Sequence, residues 1–76
     1  MSYTLGFFEL SDDLAHDPDP VELSHGENVT LLMREAMEKY SVHTWRFDGD
    51  CWESDNTTRF NHSRCAGRFY VMDNFD

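Results

Sequence analysis

"VHTWRFDGDCWES", residues 42–54, is the stretch on which the fold turns. Two aromatic-rich runs flank Asp48-Gly49, and that dipeptide suits a two-residue type I′ hairpin, whose central positions both need φ > 0. The predicted register sets Phe47 opposite Asp50, Arg46 opposite Cys51, Trp45 opposite Trp52 and Thr44 opposite Glu53. His43, Trp45, Phe47 and Trp52 then share one face, which is expected to lie under a helix.

That helix is read immediately upstream. Val29, Leu32, Met33, Ala36, Met37 and Tyr40 recur at i, i+3, i+4, i+7, i+8 and i+11, and Ser24 with Glu27 matches a capping box, so the spacing predicts an amphipathic helix over 25–40. Arg34 with Glu38 and Glu35 with Lys39 face solvent as i,i+4 pairs worth about 0.2–0.5 kcal/mol each.

Further outward, "YTLGFFEL" (3–10) has apolar groups on both faces, Tyr3, Leu5 and Phe7 against Phe8 and Leu10, and predicts a central strand. Gly6 within it marks a bulge or a close backbone approach. Residues 11–26, "SDDLAHDPDPVELSHG", contain Asp-Pro twice, and the residue before a proline is driven out of the helical region, so this segment reads as an extended acidic loop. Downstream, "SDNTT" is a turn cluster, 59–62 and 68–72 read as strands, and Ala66-Gly67 as a bulge or tight turn between them. The acidic tail 73–76 is expected to fray. The order implies one α+β domain over 1–76, a two-layer sandwich with one amphipathic helix packed on a three- to four-stranded antiparallel sheet.

Charge narrows the function classes. Fifteen acids face five Arg and one Lys, a net −9, which argues against direct nucleic-acid binding because a polyanion is repelled. No window approaches the ~18 apolar residues of a membrane span, and "MSYTLGFFEL" lacks the basic and long apolar regions of a signal peptide, so a cytoplasmic location is expected. The three sequons at Asn28, Asn56 and Asn61 then carry no meaning.

The stretch "RFNHSRCAGRF" (59–69) gathers Arg59, Arg64 and Arg68 with His62 and Cys65. Over seven residues it resembles the Arg-Phe-x-Asn-His-Ser-Cys signature of SET-domain lysine methyltransferases. It lacks the residue after Phe60 and inserts Arg64 before Cys65, and the chain is too short for a cofactor pocket and a lysine channel. His43, Cys51, His62 and Cys65 are the donor set of a tetrahedral zinc, but only His62-x2-Cys65 is a close pair and the hairpin register points His43 and Cys51 to opposite faces, so no metal is expected. A nucleophilic Cys65 or Cys51 needs a base in reach and a dry pocket, for which a chain of this size leaves little volume. The arginines are expected to lie against the 11–27 segment.

The expectation is therefore a non-enzymatic protein, without cofactor, whose acidic face occupies a basic protein surface, that of a host nucleic-acid-binding protein. Glu9, Asp12, Asp13, Asp17, Asp19, Glu22, Glu27, Asp48, Asp50 and Asp55 are its candidate contact residues. In size, acidity and aromatic content the chain resembles phage-encoded inhibitors of the anti-CRISPR or anti-restriction type that mimic DNA or RNA. The alternatives are a small zinc-stabilised or Arg-driven RNA-binding module and a dimeric regulatory protein; the expected state is a monomer or a homodimer.

Overall fold

Tyr3–Glu9 forms strand β1, an interior strand paired on both edges, as its two apolar faces predict. The structure, a computed structural model, describes residues 1–9, 20–55, 58–59 and 66–75. The other elements are β2 (Val21–Gly26), α1 (Val29–Tyr40), β3 (Trp45–Asp48), β4 (Cys51–Ser54), β5 (Thr58–Arg59) and β6 (Ala66–Asp73). One antiparallel sheet runs β2-β1-β6-β4-β3, with the two-residue β5 pairing β6 beyond the end of β4. The architecture is α+β with one helix on an antiparallel sheet, but the sheet has five strands along its path rather than three or four.

The additional strand comes from the segment expected to be loop. Val21–Gly26 pairs with β1, Tyr3 opposite Gly26 and Leu5 opposite Ser24, because the Asp-Pro punctuation ends at Pro20 and β1 offers an unpaired edge. The register shifts between Leu5 and Gly6, leaving Leu23 as the extra residue of a bulge. On the opposite edge of β1, seven consecutive residues pair with β6, from Tyr3 opposite Asp73 to Glu9 opposite Gly67.

Side chains alternate across this frame. Leu5, Phe7, Phe69 and Val71 point to the helix side, where with Leu32, Ala36 and Val42 they form the buried core. Phe69 stacks on Tyr40 at 4.9 Å and meets Phe7 at 5.0 Å. On the other face Tyr70, opposite Gly6, is buried and lies so close that a Cβ on Gly6 would strike its ring and hydroxyl. Gly67 is tighter still, since a Cβ there would meet the Phe8 carbonyl oxygen and the Phe7 ring. Where β4 leaves β6, the buried Ser54 Oγ accepts from the Phe69 amide at 3.0 Å and replaces a ladder bond.

The helix starts later than the capping box implied. Asn28, in extended conformation, is the N-cap, its side chain accepting from the amides of Thr30 (2.9 Å) and Leu31 (3.4 Å). Ser24 is occupied in β2, so the Ser24–Glu27 box does not form. At the other end Ser41 is left-handed (φ 58), and its amide and the Val42 amide (3.4 Å) both reach the Ala36 carbonyl, which ends the helix.

The hairpin forms one position later than predicted. Asp48 pairs with Cys51, Phe47 with Trp52, Arg46 with Glu53 and Trp45 with Ser54, so the loop is Gly49-Asp50. Gly49 takes φ 70 and the Asp50 amide bonds the Asp48 carbonyl at 2.8 Å. Only the first loop position has positive φ, which a glycine there satisfies and which removes the need for the I′ pattern. Trp45, Phe47 and Trp52 still share the helix-side face; Trp45 and Trp52 are half-buried against the core that includes Leu32 and Ala36 of α1, Phe47 stays exposed, and the helix backbone lies over β2, β1 and β6.

The tail is also more ordered than expected. Asp73 closes β6, the Asn74 amide bonds the Ser2 carbonyl at 3.0 Å, and the Phe75 amide bonds Asp73 Oδ1 at 2.8 Å; Asp76 lies outside the described residues.

Gly67→Ala should lower stability by about 3 kcal/mol and Gly6→Ala by about 1–2 kcal/mol, because a backbone carbonyl yields less than a ring. Ser41→Gly should raise it by about 1 kcal/mol by relieving the left-handed residue. Urea midpoints of the three variants check the ranking, and a neutral Gly67→Ala would contradict the close approach.

Candidate functional site

Glu9 ends β1, Glu22 sits on β2, Glu27 lies between β2 and α1, Asp48 ends β3, Asp50 is in the hairpin loop and Asp55 follows β4; all six are exposed. Asp12, Asp13, Asp17 and Asp19 lie outside the described residues. The ladders fix the relative placement. Tyr3 is opposite both Gly26 and Asp73, and Cys51 is opposite both Met72 and Asp48. One end of the sheet therefore carries Glu27, Asp73, Asp50 and Asp48 in sequence across β2 to β3, a span of four interstrand spacings or about 19 Å. Glu9 and Asp55 belong to the opposite end, and Glu22 projects from the face away from the helix. The six do not converge on one face.

Of the four described Lys and Arg side chains three are close to carboxylates, and Arg34 on α1 is exposed without such a neighbour. Lys39 Nζ is 3.4 Å from Glu35, Arg46 Nε 3.8 Å from Asp55 and Arg68 Nη1 3.8 Å from Glu53. Arg68 thus turns to β4, not to the acidic segment 11–27 as expected; it shares a face with Glu53 because both flank Tyr70 in the ladders. Its Nε is buried without a hydrogen-bond partner. The side chains of Arg59 and Arg64 lie outside what is described.

A polar relay that the sequence did not suggest ties the two termini to β2. Glu22 Oε2 is 3.4 Å from His25 Nε2, and His25 Nδ1 is 3.0 Å from Thr4 Oγ1. The order carboxylate, imidazole, hydroxyl is that of a nucleophilic triad. Thr4, however, is buried and donates its hydroxyl hydrogen to Asn74 Oδ1 at 2.7 Å, while Asn74 Nδ2 donates to Ser2 Oγ at 3.0 Å. The hydroxyl is committed and inaccessible, so the relay fastens strands. Its partners are 21 and 70 residues apart, and no local pattern could have announced them.

Cys51, one of the two thiols considered as nucleophiles, sits in the wrong environment for that role. Burial pushes its pKa up, the Glu53 and Asp48 carboxylates push it further, and its Sγ donates to Glu53 Oε1 at 3.8 Å. A reactive thiolate needs the reverse, a cationic neighbourhood. Cys65 and His62 lie outside the described residues, and among the described residues no three His, Cys, Asp or Glu side chains converge as a metal site. No helix among them is long and apolar enough to cross a membrane. An open depression of about 470 Å³ between β2 and α1, lined by His25, Leu31 and Glu35 among others, holds no converging set of nucleophile and base.

Comparison with known proteins yields no matching family model, no similar curated protein and no matching solved structure, so function is argued from this chain's own geometry.

Tyr70 resembles Cys51 in that burial, then the Glu22 carboxylate, raises its pKa. For both groups the folded state holds the proton longer than the unfolded chain does. Their contribution is complete below the unfolded values, about 8.5 and about 10, and is lost as pH rises through the higher folded ones. Stability should fall progressively above about pH 8.5. Cys51→Ala should flatten the first part of that decline and Tyr70→Phe the second, as read from urea midpoints between neutral and strongly alkaline pH. A decline identical in both variants would exclude these groups as its source.

Proposed function

We propose that this chain is a non-enzymatic binding protein whose partner presents a basic protein surface, of the kind that nucleic-acid-binding proteins use for phosphates. The observation that carries this reading is an imbalance of exposed charge. Glu9, Glu22, Glu27, Asp48 and Asp50 face solvent, as does Asp55 beside Arg46, whereas of the four described Lys and Arg side chains Lys39, Arg46 and Arg68 each have a carboxylate within 4 Å and Arg34 alone is exposed without one. On a chain of net −9, the outward potential is negative, and such a potential speeds encounter with a cationic partner and repels a polyanion.

The finer reading, a viral inhibitor that imitates the phosphate spacing of DNA or RNA, needs an ordered array on one face. Four carboxylates across one sheet end, Glu27, Asp73, Asp50 and Asp48, are the nearest approach to such an array among the described residues. They alone are too few to follow a duplex backbone, which carries one charge per about 1.7 Å of axis. Mimicry therefore depends on Asp12, Asp13, Asp17 and Asp19 adding to them. Basic-surface binding does not.

Proteins retained from host lysate on this chain at about 50 mM salt should be released at about 500 mM, where the screening length shrinks to a few ångströms. They should be enriched in nucleic-acid-binding proteins and be competed away by duplex DNA. Reversing Asp48 and Asp50 together with Asp12, Asp13, Asp17 and Asp19 to Lys should abolish retention without unfolding the chain. Retention that survives high salt, or a direct shift of labelled nucleic acid by the chain itself, would overturn the proposal.

A further inference from the structure

The sheet is wider than its helix. Five strands at about 4.8 Å spacing span about 19 Å, and a helix with its side chains covers about 10 Å. α1 lies over β2, β1 and β6, and among the described residues no helix lies over the β4–β3 part of the same face. A two-layer sandwich of this width has room for a second helix beside the first, at the usual interaxial distance of about 8–10 Å.

This strip of the face is apolar. Phe47 is its exposed ring, while Trp45 and Trp52, on the side that carries Val71, are half-buried against the core, with the Trp45 indole nitrogen fully buried. Phe47 and Trp52 meet at 5.0 Å with their rings tilted by 56°, and Phe47 remains 56% exposed. The helix supplies a wall. Leu31 and Glu35 line the depression beside β2, so at 100° per residue Met33 and Met37 fall on the flank toward β4. Met37 is 43% exposed. Methionine and aromatic side chains together make an adaptable floor for an inserted helix.

We infer that this strip is the docking site for one amphipathic, cationic helix of a partner protein. The choice of occupant rests on charge. Asp50 and Asp73 lie at one end of the strip, with Asp48 at the same end but on the opposite face, and no Lys or Arg among the described residues belongs to that end. Arg46 points from the opposite face toward Asp55. A second copy of the chain would bring another −9 against these groups, and an anionic membrane surface would be repelled for the same reason. A helix with apolar residues on one face and Lys or Arg on the other satisfies both the floor and the rim. This inference rests on the basic-partner reading above and adds to it where the contact is made and by what element.

The test uses a synthetic Leu/Lys amphipathic peptide of about four helical turns and a scrambled peptide of the same composition. Both tryptophans of the chain, Trp45 and Trp52, are in the strip, so their emission reports occupancy directly. The amphipathic peptide should shift emission to the blue and bind about 10-fold more tightly than the scrambled one. Phe47→Glu should weaken its binding about 10-fold although it adds negative charge, as expected of a central aromatic anchor. Leu31→Glu, an exposed apolar position on the far flank, should not weaken it. Equal binding of the two peptides, or binding to Phe47→Glu that is unchanged or tighter, would mean attraction by charge alone; that sinks the strip and leaves the basic-partner reading standing. Failure of both peptides to bind at low salt would sink both. A homodimer in sedimentation that Phe47→Glu dissociates would overturn the inference in favour of a second copy as occupant.

Discussion

The antiparallel pairing of β1 with β6 is the constraint from which the rest of the molecule is hung. It joins residues 3–9 to residues 67–73, so nearly the whole chain is closed into a loop before these strands meet. The entropy of that closure must be recovered by contacts that form only once they do. Leu5, Phe7, Phe69 and Val71 supply those contacts on one face, each of them almost fully removed from water, and a buried side chain of this type is worth about 1.5–3 kcal/mol. On the other face Tyr70 lies over Gly6. Two glycines within the paired strands are therefore not weaknesses. They are the places where a ring or a carbonyl comes closer than any side chain would allow.

Everything else attaches to an edge or a face of this pair. β2 takes the open edge of β1, β4 and β5 take that of β6, and the helix crosses the face that bears the phenylalanines. The relay from Glu22 through His25 and Thr4 to Asn74 and Ser2 then buckles both termini and β2 on the opposite face. Its residue types invite a catalytic interpretation, and its geometry withholds one, because the hydroxyl is buried and already donates its hydrogen.

Charge and apolar surface are distributed on different principles. The carboxylates are spread over both ends and both edges of the sheet, so they act as a field rather than as a single contact patch. Exposed apolar surface on the hairpin centres on Phe47, because the helix backbone lies over β2, β1 and β6 and Trp45 and Trp52 are half-buried against the core. A field brings a cationic partner near, and a localised apolar strip selects where it settles. The two proposals correspond to these two features, and the second takes the charge of its occupant from the first.

By itself the sequence determined what depends on neighbours along the chain. The i, i+3, i+4 recurrence from Val29 to Tyr40, the alternation in Tyr3 to Glu9, the need for a special residue at Gly6 and the turn around Gly49 are all set by covalent geometry and local spacing. Tertiary structure decided what depends on competition between distant partners. Val21–Gly26 has only two strongly apolar residues and becomes a strand because β1 has an edge to fill. Ser24 cannot cap α1 because it is held in that strand, so Asn28 does. Gly49-Asp50 rather than Asp48-Gly49 forms the loop, in the register that lets Cys51 and Trp52 pair with Met72 and Val71 of β6. The helix backbone likewise sits over β2, β1 and β6 because its apolar stripe follows Leu5, Phe7 and Phe69, whose coming together no local pattern encodes.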